Sequence, residues 1–414
     1  MVASGVWLSF NSPTNRRSGG FFLDALTEFN SMLVNFSLQS ALDEQRQKDL
    51  YRQLIPISHG VTPTIDIDGK TYVNFASNDY LGLATDPQLI QAFSQAAKTI
   101  QQVGSGASHL ITGHTLWHEQ LDTTLAQATG YERALTFSTG YMANVGVIQA
   151  LCGKDSVIFS DKLNHASIVD GAILSRAKIM RFGHRNYSQL EQLLSQSSAK
   201  QKLIVTDHIF SMDGTIADLA ALHALATHYE CALMVDDAHG FGLPYQAYKK
   251  AQPQADIYIG TFGKAIGTSG AFVAGSSQLI DYVTNFARSF IYTTAMPPVL
   301  ASVTKTSIAM SHTDTLRSEQ LLANIKQLSQ GLLQQNWQVA IDNQIPTTAI
   351  IPVVIGNNDR TLQLANALKS RGFWVSAIRP PTVPVGTARL RFCVSARHSE
   401  QQISDLLAVM QTLK

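Results

Sequence analysis

Residues 233–240 read Leu-Met-Val-Asp-Asp-Ala-His-Gly, and residues 257–267 read Ile-Tyr-Ile-Gly-Thr-Phe-Gly-Lys-Ala-Ile-Gly. Each stretch begins with an apolar run and then delivers polar groups: Asp236 and His239 in the first, Lys264 in the second. Near-continuous apolar runs of this length are typical of strands that are buried on both faces of a parallel sheet. Open α/β sheets place their ligands beyond the carboxyl ends of such strands. The two stretches therefore predict an α/β fold with a ligand site at the ends of two strands.

The chemistry of these side chains indicates a cofactor. A lysine can form a Schiff base with pyridoxal 5′-phosphate (PLP), and a buried carboxylate can pair with the protonated nitrogen of its ring. Taken alone, a lysine is usually a solvated surface cation, and an Asp-x-x-His pattern is more often a loop or a helix cap. The combination of Lys264, Asp236 and His239 at strand ends favours the functional interpretation.

The rest of the chain extends this pattern. Apolar runs alternate with helical patterns, which predicts a large domain with a mostly parallel sheet. A smaller α/β domain is predicted to follow, with a helix at 317–335 and strands near 349–355, 373–377 and 388–394. The six runs of the large domain are 134–137, 157–159, 203–205, 233–235, 257–259 and 271–274. The predicted organisation is a leader at 1–31, an N-terminal arm at 32–80, a large domain at 81–310 and a small domain at 311–414.

Composition excludes several classes of partner. The 414 residues are 45% hydrophobic and carry a net charge of +1. A protein with so little net charge has no strong electrostatic attraction to nucleic acid or to an anionic membrane. No apolar run is long enough to span a bilayer. Cys152, Cys231 and Cys393 lie far apart without metal-ligand spacing, so we predict no metal site and a reducing, cytoplasmic location.

The leader at 1–31 lacks helix or strand periodicity. Its apolar run at 6–10 precedes Arg16 and Arg17, which is the wrong order for a secretory signal. We expect a loosely attached or disordered segment that contributes nothing to the site, and Met32 is a candidate start.

Four further stretches contain candidate site residues. The small-residue turn at 138–144 follows a predicted strand and suits an anion at a helix N-terminus, although an ordinary N-cap explains it equally well. His165 could stack on a planar ring, or it could simply begin a helix. Ser211 could hydrogen-bond a cofactor, while Asp213-Gly214 is explained by a turn. Arg379 precedes two prolines that restrict its direction, which suits a carboxylate, but a solvated arginine in a connector is the simpler interpretation.

These motifs, in this order, resemble the α-oxoamine synthase family of fold-type I PLP enzymes from about Leu42 to the end of the chain. The family motifs are residues 77–83, Ser-Asn-Asp-Tyr-Leu-Gly-Leu, and 210–214, Phe-Ser-Met-Asp-Gly. The most specific segment, 377–391, is similar to that of the members that condense L-alanine with a pimeloyl thioester in biotin biosynthesis. The chain departs from the family pattern in two places. It has Asp207 where the family commonly has glutamate, and its segment 241–245 is shorter than the corresponding family segment.

The resemblance implies a role for each matching residue. Lys264 would form the Schiff base, Asp236 would pair with the ring nitrogen, and His165 would stack on the ring and face the substrate. His239 and Ser211 would contact the phenolic oxygen side of the cofactor. The implied catalytic residues are Lys264, His165, Asp236 and His239.

The remaining implied contacts concern phosphate and substrate. Gly140, Tyr141 and Thr261 would help to hold the phosphate group, while Arg379 and Asn78 would bind the carboxylate of the amino acid. Two more positions, Arg52 and Thr382, match residues that the family uses around its substrate.

The family segment that corresponds to 291–298 reaches the phosphate site of a neighbouring subunit. We therefore expect a homodimer, with Thr293 or Thr294 near the partner's cofactor. Two alternatives to the implied reaction stay open: a sister synthase that uses glycine or another acyl thioester, and a PLP-fold protein that has lost catalysis and serves in binding or regulation. The presence of Lys264, Asp236, His239 and Arg379 argues against the second. The sequence leaves open whether coenzyme A or acyl carrier protein carries the acyl group.

Overall fold

A computed structural model describes residues 36–60, 62–243, 255–339 and 345–414. The chain forms two compact units, Met1–Leu54 and Ile55–Lys414. In the first unit, helix α1 spans Leu38–Gln47 and buries none of its residues. The predicted leader at 1–31 lies outside the described residues.

The second unit contains all the described strands and the other described helices. Its strands are β1 (Thr64–Ile67), β2 (Lys70–Asn74), β3 (Arg133–Phe137), β4 (Ser156–Asp161), β5 (Lys178–Phe182), β6 (Gln201–Asp207), β7 (Ala232–Asp236), β8 (Ile257–Thr261), β9 (Ala271–Gly275), β10 (Ile350–Gly356), β11 (Phe373–Trp374), β12 (Ser376–Ile378) and β13 (Ala388–Cys393). Its helices are α2 (Pro87–Ile100), α3 (Leu116–Thr129), α4 (Gly140–Leu151), α5 (Ala166–Ser175), α6 (Tyr187–Ser195), α7 (Leu219–His228), α8 (Ser277–Phe286), α9 (Arg288–Ile291), α10 (Pro298–Thr313), α11 (Thr315–Gln334), α12 (Asn358–Ser370) and α13 (Glu400–Thr412), with a short π-helical turn at His109–Gly113.

The large sheet has the strand order β3-β9-β8-β7-β6-β4-β5. Strand β9 is antiparallel to β3 and β8, and the other neighbouring pairs are parallel, so the predicted, mostly parallel sheet is confirmed. All six predicted apolar runs lie in its strands. The seventh strand, β5, was not predicted because only Phe182 of its five residues is buried, and Lys178 and Arg181 interrupt its apolar pattern. An edge strand of this kind carries no continuous apolar run.

Two small sheets complete the unit, with the orders β1-β2-β11 and β10-β13-β12. The single strand predicted at 373–377 is divided between them, as β11 and β12. Strand β11 lies parallel to β2, with Phe373 opposite Val73. This pairing joins the predicted N-terminal arm to the predicted small domain. The boundaries proposed from the sequence stay a prediction.

Polar residues gather at one edge of the large sheet. Its parallel strands β4, β6, β7 and β8 end in Asp161, Asp207, Asp236 and Thr261, and the carboxyl ends of parallel strands meet at one edge. Apolar clusters on both faces bury the strands and leave these ends as the place where polar side chains gather. In the part of the chain that the structure describes, no helix combines the length and apolar character that a bilayer crossing requires.

Candidate active site

Asp236, the last residue of β7, is buried and fully oriented by its neighbours. Its Oδ2 accepts a hydrogen bond from Asn144 Nδ2 at 2.6 Å, and its Oδ1 accepts one from the backbone N–H of Ala238 at 2.9 Å. Asp207 lies directly opposite Asp236 in the β6–β7 register and is also buried. Burial, and next the charge of Asp236, raise the pKa of Asp207 well above its usual range. The site therefore holds two carboxyl groups, of which Asp207 favours the neutral form.

Lys264 lies in the turn between β8 and β9 and is half-buried. Burial lowers its pKa to about 8, an effect that the charges of Asp236 and Asp207 oppose. A lysine with this pKa is about a tenth neutral at pH 7, far more than a solvated lysine, and a nucleophile or general base must be neutral. Lys264 and Asp236 suggested a site from the sequence. In the folded chain they are close enough for their charges to interact.

His239 is buried in the turn after β7, with Nδ1 2.7 Å from the hydroxyl oxygen of Tyr80. Burial, and then the charge of Lys264, lower the pKa of His239 well below its usual range, so the ring is neutral. Tyr80 is fully buried and lies 159 positions away in the sequence. Sequence reasoning gave Tyr80 no role, although it stands inside one of the family motifs.

His165 caps the N-terminus of α5, and its backbone N–H donates to Asp207 Oδ2 at 3.0 Å. Its Nδ1 lies 2.7 Å from Ser167 Oγ and accepts the backbone N–H of Ser167 at 3.3 Å. Loss of water around the ring lowers the pKa of His165, while Asp236 acts in the opposite direction. The predicted helix start is therefore present. The charges of Asp236 and Lys264 are close enough to affect the pKa of the His165 imidazole.

The turn between β3 and α4 has the geometry of an anion site. Thr139 is the N-cap, and its Oγ1 accepts the Met142 N–H at 3.2 Å. The N–H groups of the first helical turn, which include Gly140 and Tyr141, have no acceptor within a helix and attract anions. A Cβ on Gly140 would lie 4.0 Å from Thr261 Oγ1, so the start of α4 closely approaches the end of β8. The predicted N-cap and the predicted anion site are thus compatible with each other.

Arg391 on β13 lies among the candidate site residues, although sequence reasoning gave it no role. It is buried, and it donates from Nη2 to Asn78 Oδ1 at 3.1 Å and from Nε to the Ser211 carbonyl at 2.6 Å. Its charge contributes to the lowered pKa values of His239 and Lys264, although burial is the larger cause in both. A possible signal was the alternation of arginines within an apolar strand, because a buried guanidinium needs partners.

The neighbouring arginine of β13, Arg389, forms a buried ion pair with Asp213. Asp213 and Gly214 lie in the expected turn, where Gly214 has a φ of +65° and a Cβ would lie 2.3 Å from the Ile350 carbonyl oxygen. The turn that follows β6 is therefore fixed against β13 through Arg389 as well as through Arg391.

Three predicted substrate residues are less closely defined. Arg379 is half-buried after β12, and its carbonyl accepts the N–H of the exposed Thr382 at 3.1 Å. Arg52 is exposed in the N-terminal unit. The roles of all three toward a substrate stay predictions.

A buried network lies behind the strand ends. Asp237 accepts a hydrogen bond from Tyr258 at 2.5 Å, and its other oxygen lies 2.9 Å from His208 Nδ1. These side chains connect the ends of β6 and β7 with β8. The network fixes the strands that carry Asp207, Asp236 and Lys264 relative to one another.

Comparison with known proteins agrees with this site. The profile of the family "Aminotransferase class I and II" matches residues 70–410. The 8-amino-7-oxononanoate synthase of Cellvibrio japonicus is 45% identical over 381 residues, which cover 90% of this chain and 94% of the relative.

Two solved structures show the same fold. Serine palmitoyltransferase from S. paucimobilis, with a bound PLP–myriocin adduct, has a TM-score of 0.85 and 29% identity, covering 92% of this chain and 98% of that one. The 8-amino-7-oxononanoate synthase of Francisella tularensis has a TM-score of 0.70 and 27% identity, covering 82% and 97%. The resemblance to fold-type I PLP enzymes that the motifs predicted is confirmed. The chain belongs to the aminotransferase class I and II family.

Proposed function

We propose that this chain catalyses the PLP-dependent, decarboxylative condensation of L-alanine with a pimeloyl thioester to give 8-amino-7-oxononanoate, a step of biotin biosynthesis. The observation that carries the proposal is the half-buried Lys264, with its lowered pKa, beside the buried carboxylate of Asp236 at the strand ends. The names of relatives about 45% identical over nine-tenths of the chain support the choice of substrates.

The residues present fit PLP. The lysine amine suits its aldehyde, the carboxylate suits its ring nitrogen, and the N–H groups at the start of α4 suit its phosphate. Asp236 has one hydrogen bond on each oxygen, which leaves acceptor capacity for a ring N–H. Gly140, Tyr141 and Thr261 would hold the phosphate group. His165, His239 and Ser211 would surround the ring.

When bound, PLP withdraws electrons from the Cα of an attached amino acid and so acidifies its Cα–H. Lys264 would accept the Cα proton, because burial lowers its pKa to about 8 and so makes a neutral amine more accessible than in a solvated lysine. Asp236 supplies the negative charge that keeps the ring nitrogen protonated. The neutral rings of His239 and His165 add no positive charge that would compete with the ring nitrogen for Asp236.

The carboxylate of alanine would bind at Arg391 and Asn78. Arg391 is buried and pairs with neutral oxygen atoms of Asn78 and Ser211, so a substrate carboxylate would add the missing negative charge. Arg379 and Thr382 would contact the substrate from the segment after β12. This assignment gives the substrate carboxylate to Arg391 in place of Arg379, the residue that the family resemblance implied.

We propose a homodimer in the cytoplasm as the working form. Thr294 is exposed, while its carbonyl accepts a hydrogen bond from Ser138 of the same chain at 3.2 Å, next to the predicted phosphate site. The exposed Thr294 lies beside the predicted phosphate site, where a second copy of the chain would be able to contact it, as the proposed homodimer requires. The three cysteines are free and buried, which suits a reducing compartment.

The test is an assay of the purified PLP-loaded enzyme with paired substrates. L-Alanine and glycine are each combined with pimeloyl-CoA, pimeloyl-acyl carrier protein and a shorter acyl-CoA, and carbon dioxide and amino ketone are measured. We expect turnover only with alanine and a pimeloyl thioester. Preference for glycine or another acyl group would assign the chain to a sister synthase, and absence of turnover with every pair would support the binding-module alternative.

A further inference from the structure

Asn144 and Ser167, two buried side chains that the proposed reaction does not use, connect Asp236 to His165. Asn144 Nδ2 donates to Asp236 Oδ2 at 2.6 Å and to Ser167 Oγ at 2.9 Å. Ser167 Oγ in turn lies 2.7 Å from His165 Nδ1. Asn144 is 1% exposed and Ser167 is 0% exposed. A continuous chain of three hydrogen bonds therefore runs from the buried carboxylate, through two buried side chains, to the imidazole of the more exposed His165.

The backbone N–H of Ser167 can only donate, and with the Asn144 amide it fixes the direction of the protons in this chain. The amide of Asn144 must turn its NH₂ group toward the carboxylate, because its oxygen would be repelled there. The same NH₂ group donates to Ser167 Oγ, so the hydroxyl proton of Ser167 is free to be donated to His165. The backbone N–H of Ser167 also points at His165 Nδ1, at 3.3 Å. Both donors require a lone pair on Nδ1, and a neutral His165 must therefore carry its proton on Nε2.

We propose that Asn144 and Ser167 are positioning residues that hold His165 as the Nε2–H tautomer, so that the ring presents a donor to an anionic oxygen of the bound substrate. The opposite tautomer would direct the Nδ1 proton at the donors of Ser167 and turn a lone pair toward the substrate. Asp207 contacts only the backbone N–H of His165, whereas both donors of Ser167 contact the ring, so Ser167 sets the tautomer. The identity of the substrate rests on the proposed function, whereas the tautomer assignment rests only on the hydrogen bonds of His165.

The direct test reads the tautomer in the PLP-loaded enzyme by proton–nitrogen correlation NMR with isotope-labelled histidine, using His165→Gln to assign the signal. We expect the wild-type ring to be protonated on Nε2. Ser167→Ala should lower the ratio of the Nε2–H to the Nδ1–H form by roughly tenfold, since one hydrogen bond of ordinary strength is lost. The matched control is Ser175→Ala, on the same helix, whose hydroxyl donates to the Ala172 carbonyl at 2.7 Å and which should leave the ratio unchanged.

The kinetic counterpart is a loss of roughly tenfold in kcat/KM for L-alanine in Ser167→Ala, with cofactor affinity, measured by titration of the apoenzyme, within about twofold of wild type. Asn144→Ser should shift the tautomer in the same direction. An unchanged tautomer in Ser167→Ala, or an equal shift in Ser175→Ala, would overturn the proposal. A shifted tautomer in an enzyme that does not turn over alanine would contradict the proposed function and leave the tautomer assignment standing.

Discussion

Arg391 donates a hydrogen bond from Nη2 to Asn78 Oδ1 at 3.1 Å, although 313 positions separate the two residues in the sequence. The contact joins β13 of the C-terminal region to the segment after β2. The buried positive charge of Arg391 is close enough to Lys264 to help lower the pKa of that lysine. This relationship defines the half of the site that would receive the substrate carboxylate.

The first prediction concerns that carboxylate. Arg391→Ala should weaken the apparent affinity for L-alanine by about 2–4 kcal/mol, because a charge-assisted pair is lost and a carboxylate is left unpaired. Arg379→Ala, the matched comparison, should have a smaller effect. The measurement is the KM for alanine at saturating thioester, together with the melting temperature of each variant. A larger effect in Arg379→Ala would assign the carboxylate to Arg379, as the family resemblance implied.

The second prediction concerns Lys264. Lys264→Ala should still bind PLP through the phosphate and ring contacts, but it should lose turnover and the visible absorption band of the lysine-bound cofactor. Replacement of the exposed Lys162 by alanine is the control and should change neither property. Normal turnover in purified Lys264→Ala would show that another group carries the reaction.

The third prediction concerns pH. Burial lowers the pKa of Lys264 to about 8, and only its neutral form attacks an aldehyde, so capture of PLP by the apoenzyme should accelerate as pH rises through about 8. The rate is followed in stopped flow by the growth of the visible band. A midpoint near the ordinary lysine pKa of about 10.4 would show that the amine is solvated in solution.

The fourth prediction concerns stability. Burial raises the pKa of Asp122 to about 8, while in the unfolded chain it titrates near 3.8. Between these values the folded state holds one proton more than the unfolded state, so this carboxyl makes stability fall as pH rises. Asp122→Asn keeps an oxygen that can accept the hydrogen bond from Thr136 and should reduce that loss.

The measurement is the free energy of urea unfolding at about pH 5 and pH 8, compared with Asp405→Asn on the exposed face of α13. An equal pH dependence in wild type and Asp122→Asn would show that Asp122 is ionised in the folded protein.

The fifth prediction concerns assembly. If Thr293 or Thr294 reaches the cofactor of a neighbouring subunit, the active unit is a two-fold dimer. Sedimentation at assay concentrations should then give a dimer, and mutation of both threonines to alanine should weaken PLP binding. A fully active monomer would refute this arrangement.

The sequence by itself determined the strands that build the site. Six apolar runs predicted six of the seven strands of the large sheet, because burial on both faces demands continuous apolar residues. Asp236 and Lys264 were found for the same reason, since each follows such a run closely. His239 was indicated by the same stretch as Asp236, and the family resemblance then implied roles for the candidates His165 and Ser211. Strand β5 was not predicted, because an edge strand tolerates charged residues and so lacks a continuous apolar run. The apolar run at 373–377 was predicted as one strand, although the structure divides it between two sheets.

Only the tertiary structure decided which distant side chains share the site. Tyr80 against His239, Asn144 against Asp236 and Arg391 against Asn78 are pairs between 92 and 313 positions apart. No local periodicity encodes such contacts, because they depend on how strands and turns from remote parts of the chain come together. The pKa values of Lys264 and Asp207 belong to the same class of property, since burial and neighbouring charges shift them only once the chain has folded.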